Sequence, residues 1–190
     1  MKIFKILRDS DHYMEFSTDL EEMLDEIGPK VGDLEFMQFS YHNLRLAEYW
    51  GKFSGTFEKV LSNANQIPDI SCWRGATLVL SPAAKKILGK KLVAYGELLP
   101  ISCNNEPYYI FNCLKLVSLD KNLSKQIPLE HGLIEFEKIV FNKGSIHENL
   151  LFKSQEEGCT SVFCSEELAN FIGNSRLKGL KFSENLTGIL

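Results

Sequence analysis

Tyr95-Gly96-Glu97-Leu98-Leu99-Pro100-Ile101 leads through a polar stretch, Ser102 to Pro107, into Tyr108-Tyr109-Ile110-Phe111-Asn112-Cys113-Leu114-Lys115-Leu116-Val117-Ser118-Leu119-Asp120. This is the most apolar part of the chain. Two strand-like runs flank a turn containing Asn104-Asn105, which predicts a β-hairpin at the middle of a sheet. By alternation, Tyr109 and Phe111 share one face of the second strand.

Similar segments lie on either side. Before the hairpin, Leu78-Val79-Leu80 reads as a strand and Ser81 as a helix N-cap. Pro82 takes the first helical position, where a missing N–H is harmless. Ala84, Ile87 and Leu88 share a face, and Gly89 is the expected stop. After the hairpin, Val162-Phe163-Cys164 is the strand, Ser165 the cap, and Glu166-Glu167 suit the positive helix start. Leu168, Phe171 and Ile172 form the apolar face and Gly173 the stop. The spacing from cap to glycine is eight in both, Ser81 to Gly89 and Ser165 to Gly173. A basic link and a strand follow each: Lys90-Lys91 before Ala94 to Ile101, and Arg176 and Lys178 before Gly179 to Phe182. Two strand–cap–helix–strand units therefore surround the hairpin. Two copies are too few for a solenoid.

The remaining elements are weaker. Lys2 to Leu7 and Tyr13 to Phe16 read as short strands. Thr18-Asp19-Leu20-Glu21 fits a capping box with Thr18 as the cap. It opens a helix through Leu20, Met23, Leu24 and Ile27 that Gly28-Pro29 is expected to end. Leu34 to Ser40 alternates like a strand, and Tyr41 to Ser54 is ambiguous, with a helix through Leu44, Ala47 and Trp50 as one reading. Thr56 to Leu61 suits an edge strand, and Ser62 to Asp69 a loop. Leu133 to Phe141 and Asn149 to Lys153 add further strands. The fold class expected is α+β: a largely antiparallel sheet with a few short helices packed on one side. Residues 1–190 read as a single domain, with a looser N-terminal subdomain over 1–66 as the variant.

With 44% hydrophobic and 24% charged residues, the chain can fill a core and keep a solvated surface. Its net charge of −4 is uneven. Residues 1–50 hold eleven acids against five bases, a net of −6, and the rest nets +2. An acidic N-terminal third argues against nucleic acid as partner, since phosphates need clustered Lys and Arg. It suits steering toward a basic protein, or is simply a solvated helix face. The five cysteines are Cys72, Cys103, Cys113, Cys159 and Cys164. An odd number inside apolar runs suggests free buried thiols in a reducing cytoplasm. The N-terminal apolar run is broken by Lys5 and ended by Arg8-Asp9, too short for a signal peptide. No run approaches the roughly 20 apolar residues that span a bilayer, so no membrane is expected.

Catalytic patterns are sparse. His12, His42, His131 and His147 are far apart, and Cys159 with Cys164 lacks a second pair, so no metal is expected. Phosphate-binding glycine loops and the Gly-x-Ser-x-Gly elbow are absent, and no cofactor is expected. Cys113 with His131 or His147 would make a nucleophile and base, but a structural thiol is the commoner reading. Glu97 and Asp120 could act as an acid–base pair or could satisfy backbone donors at strand ends.

One ordered series of motifs adds a resemblance: Pro68-Asp69 with Trp73; Leu78-Val79-Leu80-Ser81; Tyr95-Gly96-Glu97-Leu98-Leu99-Pro100; Tyr109-Ile110-Phe111-Asn112; Val117-Ser118-Leu119-Asp120; Leu151-Phe152-Lys153; Val162-Phe163-Cys164-Ser165; and Leu177-Lys178-Gly179-Leu180-Lys181-Phe182. In this order it resembles immunity protein family eleven of bacterial polymorphic toxin systems, over about residues 68–182. Cys164-Ser165 departs from the Thr-Asp-like cap of that pattern. The resemblance implies a non-enzymatic protein that binds a cognate toxin in the cytoplasm and blocks it. The acidic residues Asp19, Glu21, Glu22, Asp25 and Glu26 are the candidate partner-binding set, in the part without a matching motif. Two alternatives stand beside it: a small enzyme built around Glu97, Asp120 and His147, and a scaffold or homodimer module without a toxin.

Overall fold

A computed structural model describes residues 2–128 and 134–187. The first half of the chain forms β1 (Ile3–Arg8), β2 (Glu15–Thr18), α1 (Leu20–Val31), α2 (Asp33–Met37), β3 (Ser54–Glu58), β4 (Ile70–Cys72), β5 (Thr77–Leu80) and α3 (Pro82–Leu92). The second half forms β6 (Gly96–Cys103), β7 (Glu106–Cys113), β8 (Lys125–Pro128), β9 (Ile134–Lys138), α4 (Lys143–Ile146), β10 (Leu151–Phe152), β11 (Phe163–Ser165), α5 (Glu166–Asn174) and β12 (Leu180–Ser183). The fold is α+β with mainly antiparallel sheets.

The hairpin is β6–β7, paired from Gly96↔Cys113 to Cys103↔Glu106. Its turn is only Asn104-Asn105, with φ of 52° and 65°. Two positive φ values match the twist of the flanking strands, and asparagine tolerates them. The chain leaves the sheet after Cys113, so the expected long second strand to Asp120 is cut short. β6 and β7 are the middle strands of a six-stranded sheet ordered β2-β3-β6-β7-β5-β4. All its pairs are antiparallel except β3–β6. Thus β3 is an interior strand rather than the expected edge.

Both faces of this sheet are covered, which explains the near-continuous apolar runs. On one face Leu78, Leu80, Phe111 and Cys113 pack with Leu88 and Leu92 of α3 and Leu168 and Ile172 of α5. On the other, Val79, Leu99, Ile101 and Ile110 pack with Met23 and Ile27 of α1 and Phe36 of α2. Helices therefore lie on two sides, not one. A second sheet, ordered β10-β11-β1-β12, closes the first core with Ile6, Leu151 and Cys164. Its opposite face joins a third core around Phe141, Phe152 and Phe163, whose rings lie 4.9 to 6.1 Å apart. β8 and β9 form a separate pair beside it. The strand expected over Leu133 to Phe141 is thus the shorter β9, with Leu133 outside the described residues.

The two repeated units share a topology. β5 and β6 are parallel, with β7 antiparallel between them. β11 and β12 are parallel, with β1 antiparallel between them. Each is a split β-α-β. The caps hold as expected: Ser81 Oγ accepts from Ala84 N–H at 3.2 Å, and Ser165 Oγ from Leu168 N–H at 3.3 Å. The glycine stops do not hold. α3 runs past Gly89 to Leu92 and α5 past Gly173 to Asn174. Neither glycine has a positive φ, so neither uses the left-handed freedom of a terminating glycine.

Three N-terminal expectations also change. Asp19, not Thr18, is the cap of α1, its Oδ1 accepting from Glu22 N–H at 3.0 Å. α1 continues through Gly28-Pro29 to Val31, because Pro29 faces solvent and Gly32 N–H closes the next turn on Gly28 O at 2.7 Å. Leu34–Ser40 is not a strand: residues 33–37 are α2, which buries Phe36 and leaves Leu34 63% exposed. Short apolar runs fit either period, and here Phe36 meeting the sheet decides. The ambiguous stretch that follows contains no helix: residues 41–53 form an irregular loop.

Candidate functional site

The irregular loop is held by polar side chains of the central hairpin. Glu97 Oε1 accepts from Leu46 N–H at 2.6 Å and from Asn112 Nδ2 at 2.8 Å, and Oε2 accepts from Ala47 N–H at 3.2 Å. Asn112, fully buried, also donates to Leu44 O at 2.9 Å. Trp50 Nε1 donates to Pro100 O at 2.7 Å. Glu97 is therefore a clamp for backbone donors, one of the two roles open from sequence. Asp120 behaves likewise, its Oδ1 accepting from Asn122 and Leu123 N–H at 3.0 and 3.2 Å. His147 is exposed at the end of α4.

Behind the loop sits Lys153, fully buried. Its Nζ donates to Ser40 O at 2.6 Å. Ser40 Oγ in turn donates to Cys159 O at 2.8 Å and accepts from Ala76 N–H at 3.0 Å. These bonds tie the start of the loop to the turn 155–160. Burial lowers the Lys153 pKa from its ordinary 10.5. The folded chain then holds fewer protons than the unfolded one in the window just below 10.5, so stability rises with pH across it. Lys153→Met removes that contribution. We expect the stability of the variant relative to the parent to fall as pH rises toward 10.5 in paired urea titrations; parallel curves would contradict a lowered Lys153 pKa.

Cysteine chemistry is muted. All five thiols are free, and four are buried. Burial pushes Cys113 and Cys164 up to about 12, and a neutral thiol is a poor nucleophile. Cys113 Sγ meets Lys115 O at 3.9 Å rather than a histidine. Of its proposed bases, His131 lies outside the described residues. His12 pairs with Asp9 at 2.9 Å on the surface. Among the described residues no cluster of His, Cys, Asp and Glu could hold a metal ion, and no helix is long and apolar enough to cross a membrane.

The acidic set lies on one helix. Glu21, Glu22, Asp25 and Glu26 are exposed on α1, opposite the buried Met23 and Ile27. Glu26 is 3.9 Å from Lys30; Glu21, Glu22 and Asp25 have no ion-pair partner among the described residues. Asp19 is partly committed to its cap. Across residues 19–37 seven acids face one base. On α2, which follows, Leu34 and Met37 are exposed, at 63% and 38%.

Two cavities meet at the start of the tied loop. One of about 390 Å³ is lined by Met37, Gln38, Tyr41, Arg74 and the turn 158–160. The other, about 840 Å³, shares Tyr41, Gly158 and Thr160 with it and extends to Lys121, Gln126 and Phe136. Neither is lined by Glu97, Asp120 or His147. Sequence reasoning missed this groove because loop 41–53 has no periodicity and its tethers come from residues far along the chain.

The chain matches no protein-family model and no curated protein. Its candidate sites therefore rest on residues alone: one acidic helix face and one groove carrying an arginine.

Proposed function

We propose that this chain is an immunity protein, which binds a cognate toxin in the cytoplasm of the producing cell and neutralises it by direct contact. The observation that carries the reading is the α1 face, where Glu21, Glu22 and Asp25 stand exposed, without ion pairs among the described residues. An exposed acidic face without internal ion pairs suits steering toward, and contact with, a basic partner. The motif series from Pro68 to Phe182 supports the same reading by its resemblance to immunity protein family eleven. In this reading the hairpin and its two flanking units are scaffold, and the surface that meets the toxin lies on the N-terminal helices.

Co-purification with the product of the adjacent gene, followed by rescue from its toxicity, tests the function. The surface is tested by reversing Glu21, Glu22, Asp25 and Glu26 to lysine together. We expect affinity to fall roughly tenfold or more and its salt dependence to flatten, with the association rate carrying most of the change. Affinity and salt slope equal to the parent's would remove α1 from the interface.

A further inference from the structure

The smaller cavity is chemically one-sided. Arg74 is its one charged lining residue, and no carboxylate lines it. That is unusual on a chain of net charge −4. Arg74 makes no ion pair among the described residues; its Nη1 reaches only the Met37 sulfur, at 3.8 Å. Burial alone acts on the guanidinium and lowers its pKa, with no acid opposing it. A guanidinium's fork of donors is costly to desolvate without an anion to meet it.

Other donors at the cavity are also uncommitted. The side chains of Gln38 and Tyr41 have no hydrogen-bond partner among the described residues. Ser40 and Thr160 are spent, Ser40 on Cys159 O and Ala76 N–H, and Thr160 on Glu157. Met37 and Phe39 supply apolar wall. The backbone around it is unusual too: Gly75, Gly158 and Cys159 all have positive φ, 55°, 80° and 53°. For a buried cysteine that conformation is strained, and such strain gathers at binding sites.

We propose that this cavity binds a carboxylate carried on an apolar stem. The Arg74 guanidinium takes the carboxylate, the geometry it matches best. Gln38 and Tyr41 supply further donors, and Met37 and Phe39 pack on the stem. A single cation favours a monoanion over a phosphate, and the apolar wall favours a stem over a bare ion. At about 390 Å³ the cavity falls in the range of small-ligand sites. It opens toward the larger cavity along Tyr41, Gly158 and Thr160, so the carboxylate can be a free acid or the end of a peptide. The site shares Met37 with α2 but none of the α1 acids, and it does not require the toxin reading.

The probe is 3-phenylpropionate, titrated into the full chain and followed by amide NMR shifts, with 3-phenylpropanamide as the neutral isostere. We expect saturable binding with a dissociation constant on the order of a millimolar, as for a ligand of this size. The amide should bind at least about tenfold more weakly. Arg74→Gln should lose about tenfold or more, and Arg74→Lys less. Arg74 supports the fold through its carbonyl, which accepts from Thr77 Oγ1 at 2.9 Å and survives either substitution. Should Arg74→Gln nonetheless melt early, acid against amide on the parent chain decides. Acetyl-Gly-Gly-Phe binding more tightly than 3-phenylpropionate assigns a chain terminus; weaker binding assigns a small acid. The proposal fails if the amide equals the acid, if Arg74→Gln binds as the parent does, if inorganic phosphate competes better than 3-phenylpropionate, or if no saturation appears.

Discussion

Gly179→Ala is expected to destabilise the chain by about 3 kcal/mol or more, enough to threaten a domain of ordinary stability. Two independent effects combine there. Gly179 has φ +113°, where a side chain is strained in any surroundings. An added Cβ would also lie 2.2 Å from Ile70 O and 2.4 Å from Pro68 Cβ. The first of these is backbone and cannot swing aside. Gly179 sits where the two large sheets meet: Lys178 O accepts from Ile70 N–H at 3.0 Å, and Gly179 O accepts from Asp9 N–H at 2.9 Å. Lys178 N–H donates to Asp69 Oδ2 at 2.9 Å. Relief by moving the backbone would break this seam. Gly173→Ala is the matched control. Gly173 is exposed in α5, has no positive φ, and an added Cβ meets nothing within 4 Å. It should gain about 0.5–1 kcal/mol from helix propensity. Urea midpoints of the two variants should move in opposite directions; Gly179→Ala within about 1 kcal/mol of the parent would show that the seam yields easily.

Glu97→Ala is the second large effect, about 3 kcal/mol. The carboxylate serves two backbone N–H groups and Asn112 at once. Bonds to a charged group are worth about 1.5–3 kcal/mol each, but they share one acceptor group, and Glu97 is only half-buried, so the sum is discounted. The Leu46 amide then loses its acceptor in a buried site. Glu97→Gln keeps an acceptor oxygen and should cost about 1 kcal/mol. Hydrogen exchange separates clamp from bystander: amides of Leu46 and Ala47 should lose protection in Glu97→Ala before the β6–β7 amides do. Simultaneous loss across all of them would mean the loop has no separate opening. Tyr41 opens this loop, and Gln38 and Ser40 stand just before it on the cavity wall, so loosening it should also weaken carboxylate binding there.

Much of the fold was legible in local sequence. The β6–β7 hairpin follows from two apolar runs and Asn104-Asn105, since only residues tolerant of positive φ make so tight a turn. Ser81 and Ser165 announced their helices because an N-cap is a bond between near neighbours. The acidic face of α1 was visible for the same reason, as spacing along one helix. Boundaries were less secure: Gly89, Gly173 and Gly28-Pro29 read as stops, yet packing of α1, α3 and α5 against the sheets carried each helix onward.

The sequence by itself determined the hairpin, the two capped helices and the strands that flank them, all set by interactions between near neighbours. Only the tertiary structure decided that β1, from the start of the chain, completes the second unit between β11 and β12. It also decided that an irregular loop would be fixed by Glu97, Asn112 and Lys153, and that Arg74 would face a cavity without an acid. Those contacts join residues up to 113 positions apart, as for Lys153 and Ser40. No periodicity records such a pairing, because it arises when separately formed elements pack and their remaining polar groups must find partners.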